Sequence, residues 1–146
     1  LSREGIEAAE ELLLMYITMR ALQNRRISFE LIRVIFEMRL MLTEGEGLEL
    51  FRCLHCGKEE VHSVYLSEGG LICRECAAKD KKLSKEYPIV LSADAKYTLQ
   101  YILTSTPEKL YAFTVTDSVL NELKRFMKSY LARYLPHKFK TLDFIV

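Results

Sequence analysis

A mainly α chain, a helical bundle with an inserted four-cysteine ribbon, is predicted by three features of these 146 residues. Apolar residues recur at three- and four-residue spacing on both sides of the cysteines. All four cysteines fall in two CxxC pairs, Cys53-Leu-His-Cys56 and Cys73-Arg-Glu-Cys76, with sixteen residues between them. With 49% apolar residues the chain is long enough for one core and a small metal-stapled excursion. The expected organisation is a first helical part over 1–50, a ribbon over 51–80 and a second helical part over 81–146.

The elements follow in order. From Ile6 to Leu22, Leu12, Met15, Met19 and Leu22 recur at three and four, with Ala9, Leu13 and Tyr16 beside them, so this stripe is expected to face the core. Ser28 is positioned to cap a second helix carrying Leu31, Val34, Ile35, Met38 and Leu42 on one stripe. Phe29, Ile32, Phe36 and Leu40 make its other side apolar too, which places this helix at the centre of the bundle or against a partner or further domain. Gly45 and Gly47 end it. Val61 to Leu66 and Leu71 to Ile72 read as short strands joined through Gly69-Gly70. A charged linker, Lys79 to Lys82, leads to Pro88. Ser92 caps a third long helix with Ala95, Leu99, Ile102 and Leu103, halted by Pro107. Thr116-Asp117 opens a fourth, with Val119, Leu123, Phe126, Met127, Tyr130 and Tyr134 inward.

The cysteine spacing is that of a zinc site. A two-residue gap lets both thiolates of a pair reach one tetrahedral ion, and the spacer is long enough to fold back with the second pair. Two disulfides would instead need an oxidising compartment, and a thioredoxin-like pair needs one CxxC entering a helix beside a βαβ unit, a pattern absent from the chain. Cys53, Cys56, Cys73 and Cys76 fill the tetrahedron, which leaves His55 and His62 no vacancy and a catalytic water no position. One structural zinc is therefore expected. Because most apolar stripes lie outside residues 53 to 76, loss of a ligand is expected to unfold the ribbon and leave the helices partly formed.

Composition narrows the classes further. No run of eighteen uncharged apolar residues occurs, and Glu4, Glu7, Glu10 and Glu11 crowd the first turns, which speaks against a transmembrane helix and a signal peptide. A cytoplasmic protein without a membrane partner is expected. The chain begins at Leu1 and enters a helix almost at once, as a piece cut from a longer protein would. No GxSxG elbow, phosphate-cradling glycine loop or HExxH helix is present, so no enzyme is expected.

Net charge is only +1, but its distribution is uneven. Residues 1–50 hold six Lys and Arg against nine acidic residues, whereas residues 117–146 hold six against three. Lys124, Arg125, Lys128 and Arg133 occupy the outer arc of the last helix, and His137, Lys138 and Lys140 lie in a tail that alternates basic and apolar residues. Such a surface suits phosphates in a salt-dependent, largely sequence-independent way, and equally serves ordinary solubility. Arg52, Lys58, Arg74 and Lys79 flank the knuckles, where they offset the formal charge of a four-thiolate zinc or contact nucleic acid.

Across its length the chain resembles the C-terminal part of the RecO family of bacterial recombination mediators and DNA repair proteins. Phe36-Glu37-Met38-Arg39-Leu40 is similar to the family's F-E-x-R-L helix, followed by Gly45, Glu49-Leu50 and Arg52-Cys53-x-x-Cys56-Gly57. Ser67-x-Gly69-Gly70-x-x-Cys73-x-x-Cys76 resembles the S-x-G-G-x-x-C-x-x-C that closes the family's ribbon. Leu91-Ser92, the helix to Leu103, the Thr116-led helix and Lys140-Thr141-Leu142-x-Phe144 match the order of the family's ending. Glu46 and Leu48 depart from it, standing where an aromatic residue and proline are frequent. The N-terminal OB-fold of RecO proteins has no counterpart in these residues.

The resemblance implies a non-enzymatic role close to the nucleoid. RecO proteins bind single- and double-stranded DNA, anneal complementary strands and, with RecR, help load RecA onto DNA coated by single-strand binding protein. It also implies contact with the acidic tail of single-strand binding protein, for which Lys124, Arg125 and Lys128 are expected as a basic rim. A zinc-ribbon interaction or assembly module without DNA binding of its own is the alternative from another class.

Overall fold

The computed structural model describes residues 3 to 134. Helices α1 (Arg3–Gln23) and α2 (Phe29–Thr43) form an antiparallel hairpin. Asn24 turns the chain by accepting the Arg26 N–H at 3.2 Å. Ser28 then starts α2, its extended backbone (φ −69°, ψ 149°) letting the hydroxyl oxygen accept the Leu31 N–H at 3.2 Å. Helix α2 ends where Gly45 takes a left-handed conformation, φ +82°.

Of the two places its apolar circumference allows, α2 takes the centre of the bundle and touches α1 on one side and the two later long helices on the others. Leu31, Ile32, Val34, Ile35, Met38 and Met41 are buried along it. Leu42, expected on this stripe, is 40% exposed, and its neighbour Met41 takes the inward position in the last turn.

The larger correction concerns α1. Its inward face is Leu14, Thr18 and Ala21, whereas the expected core stripe of Leu12, Met15, Met19 and Leu22 points outward, with Leu12 68% and Met19 61% exposed. Both arcs of this helix are apolar, so periodicity alone does not say which is inside. Thr18 makes the inner arc fit: its hydroxyl donates to the Leu14 carbonyl at 2.6 Å and shares a 2.6 Å hydrogen bond with the Tyr111 hydroxyl.

Three short strands follow: β1 (Ser63–Tyr65), β2 (Gly70–Leu71) and β3 (Ile89–Val90), with helix α3 (Arg74–Lys79) and a 3-10 turn (Leu83–Lys85) between the last two. The sheet is antiparallel with order β2-β1-β3, pairing Val64 with both Leu71 and Ile89. Helices α4 (Ala93–Thr104) and α5 (Asp117–Tyr134) complete the chain, capped by Ser92 and Thr116, which accept from the Ala95 and Val119 N–H groups at 3.1 and 3.3 Å. Helix α4 stops before Pro107, and Arg39 of α2 donates to its terminal carbonyls, Ile102 at 3.2 Å and Ser105 at 2.8 Å. Bundle and ribbon share one hydrophobic core, in which Val64, Leu71 and Ile72 join Ile35, Leu99 and Phe126. No described helix is long and apolar enough to cross a membrane.

The orientation of α1 gives a direct contrast. Leu14→Ala is expected to cost about 2 kcal/mol or more in urea unfolding, as for other buried leucines, and Leu12→Ala to stay within about 0.5 kcal/mol. Equal or reversed losses contradict this orientation.

Candidate metal centre

Each cysteine pair sits in a turn that the backbone builds on its own. At the first, the Cys53 N–H donates to the Lys58 carbonyl at 2.8 Å and the Gly57 N–H returns to the Cys53 carbonyl at 3.0 Å. Gly57, at φ +80°, supplies the left-handed step that closes this loop. At the second, Cys73 is the N-cap of α3, and Cys76 lies in its first turn. The β1–β2 hairpin carries one pair to the other.

A close backbone approach fixes the register of this hairpin. Glu49 pairs with Gly70 as an isolated parallel bridge, its N–H donating to Gly69 and its carbonyl accepting the Leu71 N–H, both at 3.0 Å. A Cβ at position 70 would stand 2.6 Å from the Glu49 carbonyl oxygen, so only glycine fits there. The Leu54 N–H donates across to the Leu71 carbonyl at 2.9 Å, locking the first knuckle to β2.

The outcome is a cluster in which the four sulfurs of Cys53, Cys56, Cys73 and Cys76 all lie within 4.8 Å of one another. Neither His55 nor His62 belongs to it. The Cys56 and Cys73 sulfurs are 3.6 Å apart, far beyond the roughly 2 Å of a disulfide, and all four thiols are free. Burial pushes the Cys53 thiol up, but backbone N–H groups of Cys56, Cys73 and His55 outweigh it and bring this thiol down to about 6. Cys76, with the Cys73 sulfur beside it, is pushed up to about 12. Cys53 ionises readily whereas Cys56 and Cys76 resist it, and a cation at the centre would offset that resistance. The donor set fits one tetrahedral ion with no position left open.

The structure adds a clamp that spacing did not reveal. Lys96 and Gln100 lie one turn apart on α4 and donate to the carbonyls of Glu59 and Leu50, at 2.7 and 2.8 Å, one on each side of the first knuckle. Lys96 is only 8% exposed; burial lowers its pKa, against the pull of Glu59 and Glu60. A lysine between the buried Ala95 and Leu99 was the available signal. From the other side, the Tyr130 and Tyr134 hydroxyls of α5 donate to the carbonyls of Glu46 and of Leu66, the latter at 3.1 Å.

Arg52, Lys58, Arg74 and Lys79 are exposed around the cluster, and Lys124, Arg125, Lys128 and Arg133 are exposed on α5. Lys124 is ion-paired with Glu30 of α2 at 3.2 Å. Arg125 borders a surface groove of about 410 Å³ floored by Ile89, Leu91 and Phe126. Arg133 borders an adjoining groove with Leu66, Lys85 and Tyr87, the two sharing Ile89 and Ser129. His137, Lys138 and Lys140 lie outside the described residues.

A helical bundle gripping a four-cysteine ribbon from two sides defines a protein in which a metal would serve architecture. A family model described as "Recombination protein O C terminal" matches residues 2–143, and the chain belongs to this family, RecO. It is 34% identical over 122 residues to the DNA repair protein RecO of Acetivibrio thermocellus, covering 82% of this chain and 46% of the relative. The RecO proteins of Desulforamulus reducens and Caldicellulosiruptor bescii are 29% and 24% identical over 113 and 117 residues, covering 75% and 79% of this chain and 42% and 45% of theirs. The chain thus spans less than half the length of these relatives. No solved structure matches it.

The cluster geometry sets the expected metal behaviour. One equivalent of bound metal per chain is expected from elemental analysis, with the four thiols reacting rapidly with a disulfide reagent only after chelation. Acidification should release the metal as the thiolates take up protons. Four thiols that react at one rate with and without chelator contradict a shared ion.

Proposed function

We propose that this chain is the zinc-stapled helical part of a DNA repair and recombination mediator and that it carries out no bond-making chemistry. Residues 51–80 are the zinc ribbon, with Cys53, Cys56, Cys73 and Cys76 as ligands of one structural Zn²⁺, and 1–50 with 81–146 the helical domain. The protein works in the cytoplasm at the nucleoid, binds single- and double-stranded DNA, promotes annealing and, with RecR, helps RecA onto DNA coated by single-strand binding protein. The observation that carries this proposal is the family match over residues 2–143. That several relatives are named DNA repair proteins supports it. Zinc is supported by the donor chemistry, because four thiolates in a closed tetrahedron suit an ion with no geometric preference of its own.

Lys124, Arg125, Lys128 and Arg133, continued by Lys138 and Lys140, are the proposed phosphate contacts. For the acidic, apolar-ended tail of single-strand binding protein, the two grooves between β3 and α5 supply the required chemistry: an apolar floor with basic residues on the rim. This shifts the weight of the rim. Arg125 and Arg133 border the grooves, whereas Lys124 is engaged with Glu30 and Lys128 borders neither.

Fluorescence anisotropy of labelled single-stranded DNA with the zinc-loaded chain, across a salt series, tests the DNA role. Affinity is expected to fall at least tenfold between about 50 and 200 mM salt, as counterion release requires. Absent or salt-insensitive binding favours the interaction module without DNA affinity. For the tail peptide, Arg125→Glu with Arg133→Glu is expected to weaken binding at least tenfold, and Lys124→Glu with Lys128→Glu less. Unchanged binding in both double variants removes the groove as its site.

A further inference from the structure

We propose that Cys56 and Cys73 are an oxidation site, a pair that closes into a disulfide across the two knuckles and thereby releases the metal. The proposal rests on the zinc reading above and gives two of those ligands a regulatory property. The four cysteines are not equivalent. Cys53 and Cys73 are buried, at 2 and 5% exposure, and Cys76 is half-buried, whereas Cys56 is exposed. Cys56 is therefore the sulfur that a small oxidant in solvent meets first.

Two observations choose its partner. The Cys56 and Cys73 sulfurs lie 3.6 Å apart, close to the about 3.8 Å that two ligands at about 2.3 Å from one tetrahedral ion keep between them. Bringing them to the roughly 2 Å of a disulfide is a small movement of two side chains. The Cys53 sulfur, by contrast, accepts the backbone N–H groups of His55 at 3.4 Å and Cys73 at 3.3 Å, which hold it in place. The choice of partner has a structural consequence. A bond within either CxxC pair leaves the knuckles unlinked once the ion is gone. A bond from Cys56 to Cys73 spans the same two turns as the ion and closes the loop that contains the β1–β2 hairpin. The hairpin then keeps its place beside Glu49, and the reduced thiols can take the ion back.

The chemistry balances with hydrogen peroxide as the oxidant. The Cys56 thiolate attacks one peroxide oxygen, the O–O bond breaks and hydroxide leaves, so that Cys56 becomes a sulfenic acid. The Cys73 thiolate then attacks that sulfur, the S–S bond forms and a second hydroxide leaves. The two sulfurs give up two electrons in all, and the peroxide takes both. Two thiolates remain, too few to hold a structural ion.

The test starts from chain shown by elemental analysis to hold one zinc. Hydrogen peroxide is added, released zinc is followed with a colour indicator, and bonded cysteines are mapped by mass spectrometry. Tryptic cleavage after Arg74 puts Cys73 and Cys76 on separate peptides. One zinc is expected to leave per disulfide formed, with Cys56 to Cys73 as the dominant link, and to return in full after treatment with a thiol reductant and added zinc. Zinc retained under excess peroxide, any other dominant link, or release that reduction does not reverse overturns the proposal. Cys56→His keeps a ligand type that zinc accepts and is expected to slow release at least tenfold, whereas Cys76→His leaves the reacting pair intact and should change the rate less than threefold. Equal rates in the two variants overturn it. Disulfide mapping of the unaltered chain decides the matter even where a variant takes up no zinc. An unaltered chain that takes up none overturns the zinc reading and this one together at the loading step, so the two failures are told apart.

Discussion

Four sulfurs held within 4.8 Å of one another are the constraint on which the rest depends. Their backbone turns are built to bring them there: a left-handed Gly57 closes one knuckle, an α3 N-terminus presents the other, and Gly70 lets the hairpin pass directly under Glu49. Protein atoms alone do not favour the charged form of all four. With Cys53 drawn down to about 6 and Cys76 pushed up to about 12, the cluster is asymmetric, and a bound cation would even it out. The binding free energy of such an ion would be folding free energy for a ribbon whose strands are only two or three residues long.

The ribbon is not an appendage on a linker. Strand β3 extends its sheet from the far side of the charged segment, and Leu91 continues that contact by donating its N–H to the His62 carbonyl at 2.8 Å. Helix α4 holds both flanks of the first knuckle through Lys96 and Gln100, and α5 holds the hairpin through Tyr134. These contacts put the two grooves at the joint between ribbon and bundle. Loss of a metal from the cluster would be expected to reach the β3 floor of the surface proposed for a partner tail, although none of the four cysteines lines either groove.

Much of this was legible in the sequence because local chemistry decides it. The cysteine spacing indicated one cluster, Ser28, Ser92 and Thr116 marked three helix starts, and Gly69-Gly70 marked the hairpin. The apolar circumference of α2 narrowed its place to the bundle centre or a partner's surface, and its contacts with α1, α4 and α5 decide for the first. What remained hidden depends on contacts between distant residues. Helix α1 has two apolar arcs, and only the meeting of Thr18 with Tyr111, 93 positions away, shows which is inside. Ile89–Val90 is too short to signal a strand, and Lys96 becomes a clamp only when α4 lies against Glu59. The basic residues of α5 read as one face by helical spacing, yet Glu30 of α2 engages Lys124 while Arg125 borders a groove.

Amide hydrogen exchange of the chain with and without bound metal addresses the central claim most directly, because it reports each element separately. Chelation is expected to strip protection from residues 53–76 and from Ile89–Val90, while amides of α2 and α4 such as Ile35, Met38 and Leu99 stay protected. Simultaneous loss of protection throughout the bundle, or a ribbon as well protected without metal as with it, contradicts the account.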